Sequence, residues 1–378
     1  MKIAIDATLL RKENTGTGFY IINLVNGLLE TSDDKDSFYI IVDKELAGIF
    51  FDFKGRKNFY ILDKKFKNRI QRVLWQFFVL PFELKKKNIN ILHSPNYVTP
   101  LIKLGLKIVV TIHDLTFFIF PEKFTITKRL FFKFFIPMFI KKADKVIAVS
   151  ENTRKDILRY FKIKKENVTV TYESIPKYYN CDIQPEKNLL SKYGIDKEYM
   201  LFVGMIEPRK NILSILKAYK KIEKEINADL VIVGKKGWYF KEIEQYFENI
   251  KSEGLKNKII FTGYVAEPEL KYFYKNALIF IYPSIYEGFG LPPLQSMACG
   301  VPVITSDTSS LPEVVADSAI KIDPENEDRL ADEIKKLYFN PLKRKEMSEK
   351  GIRQAEKFSL KNFAIKTLEV YKTMQSSI

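Results

Sequence analysis

The chain has 378 residues, of which 46% are hydrophobic and 14% aromatic, and it carries a net charge of +16. That length suits two domains of ordinary size, and the composition excludes a disordered or collagen-like chain. Two cysteines, Cys181 and Cys299, provide no disulfide framework and no cysteine-rich metal site, so we expect a reducing, cytoplasmic compartment.

The positive charge is concentrated in the first half of the chain. Residues 1–180 contain 32 Lys and Arg against 18 Asp and Glu, whereas residues 181–378 contain 30 against 28. This asymmetry predicts that the first half faces an anionic partner, which is a membrane surface, an acidic acceptor or a nucleic acid. A bias towards lysine codons is the alternative, although such a bias should load both halves alike.

The amino terminus reads as a buried first strand. Residues 1–10 are apolar, but Asp6 interrupts them too early for the apolar core of a signal peptide. Nowhere does an apolar stretch reach the roughly 18 residues that a membrane span needs. We therefore expect any membrane contact to be peripheral.

Short apolar runs alternate with helical patterns in both halves, which predicts strand-helix-strand units and parallel sheets. A segment rich in Pro, Lys and Asn, residues 172–198, separates the halves and is the predicted interdomain linker. The predicted strands are 2–5, 38–42, 89–93, 107–112 and 145–149 in the first half, and 200–203, 229–233, 258–262, 278–282 and 301–305 in the second.

A glycine loop follows the first strand. Gly16, Thr17 and Gly18, after Asn14 and Thr15, precede a predicted helix over residues 20–29. Small residues with free N–H groups at a helix start suit an anionic ligand. A nicotinamide-binding reading is weak, because the third glycine is missing and no strand directly abuts the loop.

Two predicted helices combine aromatic and basic residues, over 64–87 and 123–142. Their apolar residues occupy more than one helical face, whereas a helix on the surface of a soluble domain buries a single stripe. The surplus either dips into a bilayer, with Lys and Arg at the headgroups, or packs between neighbouring helices.

The only two histidines, His93 and His113, both stand at the ends of predicted strands, the edge at which open parallel sheets bind ligands. A functional role is the stronger expectation for His113, and a structural role is the alternative for each. No Ser-His-Asp or Cys-His arrangement supports a hydrolase.

In the second half, Gly204 ends a strand and is followed by Arg209 and Lys210, which can present two cations to phosphate oxygens. An exposed basic helix start is the alternative, but it would place cations at the unfavourable end of the helix dipole. Tyr264 and Val265 follow another strand, where the aromatic ring either stacks on a ligand or covers the core.

Glu287 closes an apolar strand and opens a glycine-rich turn that leads into a helix. Glycines let the backbone turn sharply and approach a ligand, and Pro292 or Pro293 suits a first helical turn. Such a turn predicts a diphosphate site, and a plain strand-to-helix connection is the alternative. The turn residues predicted to contact the ligand are Gly288, Phe289, Gly290 and Leu291.

Residues 287–295 resemble the motif of the retaining glycosyltransferases of family 4, in which two glutamates, separated by seven residues, flank a Gly-Phe-Gly turn. The resemblance implies that Glu287 contacts the donor sugar and that position 295 contacts the ribose hydroxyls. This chain has Gln295 there, which keeps an acceptor oxygen and gains an NH₂ donor but lacks the charge. We therefore expect ribose binding to be weakened or altered and not lost.

The same resemblance assigns roles to the other motifs. Arg209 and Lys210 would hold the donor diphosphate, with Met205 at the position of a further Arg in many relatives. His113 would bond the transferred sugar, and Tyr264 with Val265 would lie against the base. The family's glycine loop, here Gly16 to Gly18, lies near the donor phosphates and the reacting carbon.

The resemblance covers nearly the whole chain and implies the α/β GT-B architecture, in which two Rossmann-like, doubly wound domains face each other across a cleft. The first, acceptor-binding domain would comprise residues 1–178 and be completed by 358–378, where a C-terminal helix crosses back. The second, nucleotide-sugar-binding domain would comprise residues 179–357. Neither a metal nor a cofactor is expected.

The implied activity is transfer of a mannose- or glucose-like hexose, with retention, in cell-surface polysaccharide biosynthesis. The donor would be a GDP-, UDP-, ADP- or dTDP-sugar and the acceptor a glycan or a polyprenyl-linked glycan, in the cytoplasm or at the cytoplasmic face of the membrane. Alternatives are a sugar-nucleotide epimerase of the same architecture and a non-catalytic sugar-nucleotide binder. A nucleic-acid partner is not expected, because no reading motif is present.

Overall fold

A computed structural model describes residues 1–11, 16–33, 35–53, 56, 58–123, 125–180, 182, 184, 187–237 and 240–375. The chain forms two compact units: unit 1 is Met1–Ser174 with Leu360–Ile378, and unit 2 is Ile175–Ser359. Asn14 and Thr15 of the predicted glycine loop, and Cys181, lie outside the described residues.

Each unit contains one sheet in which every described strand pairing is parallel. The strand order is β3-β2-β1-β4-β5-β6-β7 in unit 1 and β10-β9-β8-β11-β12-β13 in unit 2, the doubly wound order of Rossmann-like folds. The strands are β1 (Lys2–Asp6), β2 (Ser37–Asp43), β3 (Phe59–Lys64), β4 (Ile91–Ser94), β5 (Lys107–Ile112), β6 (Lys145–Ala148), β7 (Val168–Val170), β8 (Tyr199–Val203), β9 (Asp229–Val233), β10 (Ile259–Gly263), β11 (Ile279–Tyr282), β12 (Val303–Ser306) and β13 (Ile320–Ile322).

All ten predicted strands are present, because parallel strands covered on both faces are nearly continuous apolar runs. Every residue of β4, β8, β9, β11 and β12 is buried. The prediction missed β3, β7 and β13, each of which lies at an edge of its sheet. Edge strands have a neighbour on one side only, so they tolerate short lengths and polar residues, as in β3.

The helices surround these sheets, and they differ from the prediction mainly at their ends. They are α1 (Gly16–Thr31), α2 (Arg69–Leu74), α3 (Leu80–Lys86), α4 (Thr116–Ile119), α5 (Ile126–Lys142), α6 (Glu151–Tyr160), α7 (Lys187–Ser191), α8 (Ile212–Ile222), α9 (Phe240–Ser252), α10 (Glu267–Lys275), α11 (Leu291–Ala298), α12 (Leu311–Val315), α13 (Glu327–Tyr338), α14 (Pro341–Ala355) and α15 (Leu360–Thr373). One turn of π-helix, Trp75–Val79, joins α2 to α3.

The boundary between the two units, Ser174 to Ile175, falls within the predicted linker, 172–198, and the rest of that segment belongs to unit 2. Tyr179 is buried and donates a hydrogen bond from its hydroxyl to Glu267 Oε1 at 2.7 Å. Leu189 and Leu190 of α7 are buried as well. Buried apolar side chains therefore anchor this part of the segment to unit 2.

Helix α15 returns to unit 1, as the prediction of a C-terminal helix that crosses back requires. It packs against α1 at Gly27, where an added Cβ would lie 2.7 Å from the Leu360 carbonyl oxygen and 2.9 Å from Ala364 Cβ. At its other end, Tyr371 Oη lies 2.6 Å from His93 Nδ1. A glycine therefore allows the two helices to approach closely.

Candidate functional site

The carboxyl edge of the unit 2 sheet has the geometry of a ligand crevice. Strand β8 pairs with β9 on one side and with β11 on the other, so the connections leave in opposite directions between β8 and β11. Gly204 follows β8 with φ of 159°, and Gly234 follows β9 with φ of 150°. A Cβ on Gly234 would lie 1.8 Å from the Gly204 carbonyl oxygen, so these two loops require glycine to lie side by side.

At this edge the structure brings three predicted site residues into direct contact. Lys210 Nζ lies 2.6 Å from Glu287 Oε1, and Arg209 Nη1 lies 2.9 Å from Glu287 Oε2. Arg209 also contacts Glu207 Oε1, through Nη2 at 2.8 Å and Nε at 3.0 Å. Glu207, Lys210 and Glu287 are buried, so this is an enclosed ion cluster and not a solvated charge pair.

Two hydroxyl groups complete the surroundings of Glu287. Ser284 Oγ donates to Glu287 Oε1 at 2.6 Å, and Tyr282 Oη donates to the same oxygen at 3.0 Å. Lys210 Nζ also donates to Tyr282 Oη at 2.6 Å. An ammonium group has three N–H donors, and these described contacts use two of them. One N–H of Lys210 therefore has no partner among the residues that the structure describes.

The cluster keeps Glu287 ionised. Burial by itself would raise the pKa of Glu287, but the charges of Arg209 and Lys210 outweigh it and lower that pKa to about 2. Burial and the Arg209 charge lower the pKa of Lys210, while Glu287 opposes that change. At neutral pH Glu287 is consequently a hydrogen-bond acceptor and a negative charge, with no proton to give.

Hydrogen bonds from the loop that follows β12 fix the glycine turn after Glu287. Glu287 N donates to Ser309 Oγ at 3.0 Å, and Ser310 Oγ donates to the carbonyl oxygens of Glu287 and Phe289. Gly290 has φ of 118°, and an added Cβ would lie 2.8 Å from Leu311 Cδ2. This turn therefore has one well-defined conformation, and Gly290 is needed for both its dihedral angle and its space.

Helix α11 begins at Leu291, and Pro292 and Pro293 lie in its first turn, as the sequence predicted. Since proline has no N–H, these two positions cannot donate to a phosphate. The predicted anion site at this helix start therefore depends on Gly288, Phe289, Gly290 and Leu291, of which Phe289 is buried and packs on Phe358. Phosphate contact by these residues stays a prediction.

The two residues predicted to lie against a base differ in exposure. Tyr264 is 42% exposed, and Lys235 Nζ lies 4.6 Å from the centre of its ring. Val265 is buried in the core of unit 2. An exposed ring beside a cation can accept a stacked base. Contact of Tyr264 and Val265 with a base stays a prediction.

Gln295 lies on α11 and is buried. Its Oε1 accepts a hydrogen bond from Tyr274 Oη at 3.0 Å. Tyr274 is itself fully buried. The amide oxygen of Gln295, which was predicted to bind ribose, therefore already forms a hydrogen bond that links α11 to α10. Ribose binding by Gln295 stays a prediction.

In unit 1, His113 follows β5 and has both ring nitrogens in contact with oxygen atoms. Nδ1 lies 2.9 Å from Glu173 Oε1, and Nε2 lies 3.0 Å from the Pro95 carbonyl oxygen. Burial lowers the pKa of His113, but the hydrogen bond and charge of Glu173 outweigh it and raise that pKa above 6.5. Because both oxygens are acceptors, the arrangement favours the imidazolium form with two N–H donors.

His93 has a structural environment. It is fully buried between Tyr371 Oη and Thr111 Oγ1, which lies 2.8 Å from Nε2. Burial, together with the charge of His113, lowers the pKa of His93 to about 3, so its imidazole is neutral. The alternative reading of His93 as a satisfied core residue therefore fits its contacts.

The described part of the predicted glycine loop, Gly16 to Gly18, forms the first turn of α1. Gly16 is exposed, Thr17 is half-buried and Gly18 is buried. The same helix carries Tyr20, whose ring centre lies 4.8 Å from that of His113. Helix α1 and His113 thus belong to one neighbourhood of unit 1.

Sequence reasoning missed several residues that position the charged groups. Tyr282 and Ser284 bond Glu287, and Glu173 holds His113. A signal existed for the first two, because both stand at the end of the strand that precedes Glu287. Glu173 is 60 residues from His113 in the chain, so no local pattern connects them.

The aromatic helices of unit 1 bury part of their apolar surface and expose the rest. The Phe77 ring packs on Phe135 and Phe139 of α5, with ring centres 6.2 and 5.7 Å away. The exposed apolar residues on α2, the π-turn and α3 are Ile70, Leu74, Phe78, Val79 and Phe82, and those on α5 are Ile126, Leu130 and Phe134. These helices therefore pack partly on one another, and contact of their exposed residues with a bilayer stays a prediction.

The described part of the chain contains no cluster of three or more His, Cys, Asp or Glu side chains arranged to hold a metal ion. It also contains no helix with both the length and the apolar character to cross a bilayer. The expectations of metal-independence and peripheral membrane contact stay predictions.

Comparisons with known proteins match both units. Residues 16–176 match the sequence model of Glycosyltransferase Family 4, and residues 186–354 match that of Glycosyl transferases group 1. The O-antigen chain mannosyltransferase B of Escherichia coli is 33% identical over 289 residues, which are 75% of this chain and 74% of the relative. The O-antigen chain mannosyltransferase RfbU of Salmonella typhimurium is 27% identical over 341 residues, 88% of this chain and 90% of the relative.

Among solved structures, Anabaena Alr3699/HepE in complex with UDP-glucose superposes with a TM-score of 0.75 at 15% identity, covering 100% of both chains. At this identity the likeness concerns the fold. The doubly wound sheets of both units and this superposition confirm the predicted GT-B architecture.

Proposed function

This chain belongs to the glycosyltransferases of family 4 and group 1, and from that membership we propose that it transfers a mannose-like hexose to a growing cell-surface polysaccharide. The observation that carries the proposal is the enclosed cluster of Arg209, Lys210 and Glu287 at the carboxyl ends of β8 and β11. The relatives named as O-antigen mannosyltransferases support the choice of sugar and product.

The proposed reaction needs positive charge beside the bond that joins the sugar to the diphosphate of the donor. The acceptor hydroxyl oxygen forms a bond to the anomeric carbon, the bond from that carbon to the diphosphate oxygen breaks, and the hydroxyl proton is lost. Negative charge therefore develops on the departing nucleoside diphosphate. Lys210, with one N–H left over from its described contacts, and Arg209 would neutralise that charge, while Glu287 would orient both cations and accept a hydrogen bond from the sugar.

Retention follows from family membership and not from any covalent nucleophile in the cluster. Glu287 is held by two cations and two hydroxyl groups, and its pKa of about 2 means that it has no proton to transfer as an acid. Electrostatic stabilisation of the leaving group is then the main contribution that this cluster can make.

Thermal unfolding with a panel of UDP-, GDP-, ADP- and dTDP-sugars tests the donor assignment. We expect one nucleotide class to stabilise the protein by about 2.7 kcal/mol at a hundredfold excess over its dissociation constant, because only the folded state binds it. Free-nucleotide release that requires a glycan acceptor would then separate a transferase from an epimerase. Absence of stabilisation by every sugar nucleotide would contradict the proposal.

We also propose that the exposed apolar side chains of α2, α3 and α5 contact an anionic membrane, where a lipid-linked acceptor would reside. Phe82 and Phe134, at 49% and 67% exposure, are the largest of them. Residues 1–180 carry a surplus of 14 positive charges, which complements anionic headgroups. Apolar side chains that enter the lipid and basic side chains that meet the headgroups together produce peripheral binding.

Co-sedimentation with vesicles of mixed anionic and zwitterionic phospholipid tests this surface. We expect Phe82→Ser with Phe134→Ser to weaken binding by about tenfold or more, since each buried Phe contributes about 1.5–3 kcal/mol. The matched control is Phe339→Ser with Leu342→Ser, which removes two exposed apolar side chains from unit 2. Equal loss in both variants, or no binding by the unmodified protein, would refute the membrane contact.

A further inference from the structure

Unit 1 has a concave site of its own, beside the start of α2. It is a cavity of about 300 Å³ at the carboxyl ends of β1, β2 and β3. Thr8 follows β1, Asp43 ends β2 and Lys65 follows β3, and the start of α2 closes the cavity with Arg69 and Arg72. Carboxyl ends of parallel strands are the usual ligand edge of such sheets.

The lining of this cavity is strongly cationic. It combines Arg11, Lys65, Arg69 and Arg72 with two carboxylates, Asp43 and Glu45. Among the residues that the structure describes, neither Lys65 nor Arg69 forms an ion pair. The cations of the lining outnumber its two carboxylates, so a bound anion would reduce the repulsion between like charges at this surface.

Arg72 is the most enclosed of these cations. Its Nη1 donates to the Thr8 carbonyl oxygen at 2.9 Å, which fixes the guanidinium against the end of β1. Its Nε is buried and has no hydrogen-bond partner within the described structure. Burial lowers the pKa of Arg72, Asp6 opposes this, and Arg69 and Arg11 lower it further. A buried donor without a partner is costly, so the protein by itself does not fully satisfy this guanidinium group.

We propose that this cavity binds an oxyanion of the glycan acceptor, either the phosphate of a lipid diphosphate or the carboxylate of an acidic sugar. The planar forks of Arg69 and Arg72 suit both groups, because each presents two oxygen atoms in one plane. Asp43 and Glu45 at the same cavity can accept hydrogen bonds from neighbouring sugar hydroxyls. This inference rests on the proposed transferase activity, since the acceptor is its second substrate.

The asymmetric charge of the chain gains a second explanation here. A membrane surface needs only diffuse positive charge, whereas this cavity places guanidinium groups at fixed positions around a volume of small-molecule size. Acceptor selection in unit 1 would then depend on Arg69 and Arg72, and donor binding on Arg209 and Lys210 in unit 2.

The full-length Trp238→Phe protein provides a local reporter, because it leaves Trp75 as the single tryptophan. The Trp75 ring centre lies 5.3 Å from that of Phe66, which lines the cavity. We would titrate this protein with sodium pyrophosphate and, separately, with glucuronate at constant ionic strength. Saturable change of Trp75 fluorescence is expected, and the tighter of the two ligands identifies the oxyanion as phosphate or carboxylate.

Arg69→Gln, at an exposed position, should weaken binding by about tenfold, because it removes charge-assisted hydrogen bonds to the anion. Arg69→Gln with Arg72→Gln should weaken it by about a hundredfold. Arg159→Gln with Arg353→Gln, two exposed arginines elsewhere, changes the net charge equally and should leave the affinity unchanged. No saturable response to either ligand, or equal affinities in the cavity and control variants, would overturn the proposal.

Sugar-nucleotide stabilisation measured on the same proteins keeps the two proposals apart. Loss of the anion response with donor stabilisation intact supports a separate acceptor site. Failure of the unmodified protein to bind any sugar nucleotide would count against the transferase assignment, while the Trp75 titration would still report on the cavity.

Discussion

Replacement of Glu287 by Ala is expected to abolish hexose transfer. The carboxylate is the common partner of Arg209 and Lys210, so its removal leaves two enclosed cations without their counterion. Breaking a buried ion pair on one side costs about 3–5 kcal/mol of folding stability. Acceptor-dependent release of nucleotide measures the activity, and urea-induced unfolding measures the stability.

Two further variants show whether the loss is chemical or structural. Glu287→Gln keeps the volume and the hydrogen-bond acceptor for Ser284 and Tyr282 but removes the charge, so we expect near-complete loss of turnover at a smaller cost in stability. Glu327→Ala breaks the more exposed ion pair with Lys217 in the same unit and should leave turnover unchanged. Substantial turnover in Glu287→Gln would show that the negative charge is dispensable.

Lys210→Ala is expected to lower kcat by about a hundredfold to a thousandfold, the range for removal of one group that stabilises developing negative charge. Arg209 would still neutralise Glu287, so we expect the variant to fold. The variant should lose stabilisation of the negative charge on the leaving group. Steady-state kinetics with the donor varied would measure it. A rise in the donor KM with unchanged kcat would instead assign Lys210 to ground-state binding.

The conservative variant sharpens this result. Lys210→Met keeps most of the aliphatic length within its buried position and removes only the ammonium group. We expect it to be as inactive as Lys210→Ala, whereas Lys217→Ala on α8 should behave as the unmodified protein. If Lys210→Met retained normal turnover, the space filled by the side chain and not its charge would be the essential property.

Much of the fold could be predicted because strands buried in parallel sheets are short, nearly continuous apolar runs in the sequence. The strands β8 and β9 are apolar at nearly every position, and glycine follows each of them. The three strands that escaped prediction, β3, β7 and β13, are all edge strands, which have a strand neighbour on one side only, although the edge strand β10 was predicted. The boundary between the two units falls within the predicted linker, 172–198.

The sequence predicted which residues form the candidate site but not which of them contact one another. Glycine turns after strands identified Arg209, Lys210 and Glu287 as neighbours of a ligand, each expected to contact the donor. In the structure the two cations contact Glu287, from which they are separated by 78 and 77 residues in the chain. Pairing across such a separation depends on β8 and β11 being adjacent in the sheet.

The sequence alone predicted three features: the family, the alternation of strands and helices, and the identity of the charged residues at strand ends. Each of these features depends on local sequence patterns. Only the tertiary structure shows three other features: the enclosure of Glu287 between two cations, the contact of His113 with Glu173, and the cationic cavity lined by Arg69 and Arg72. Each joins residues from distant parts of the chain, and burial, which sets the strength of their charges, arises only when those parts pack together.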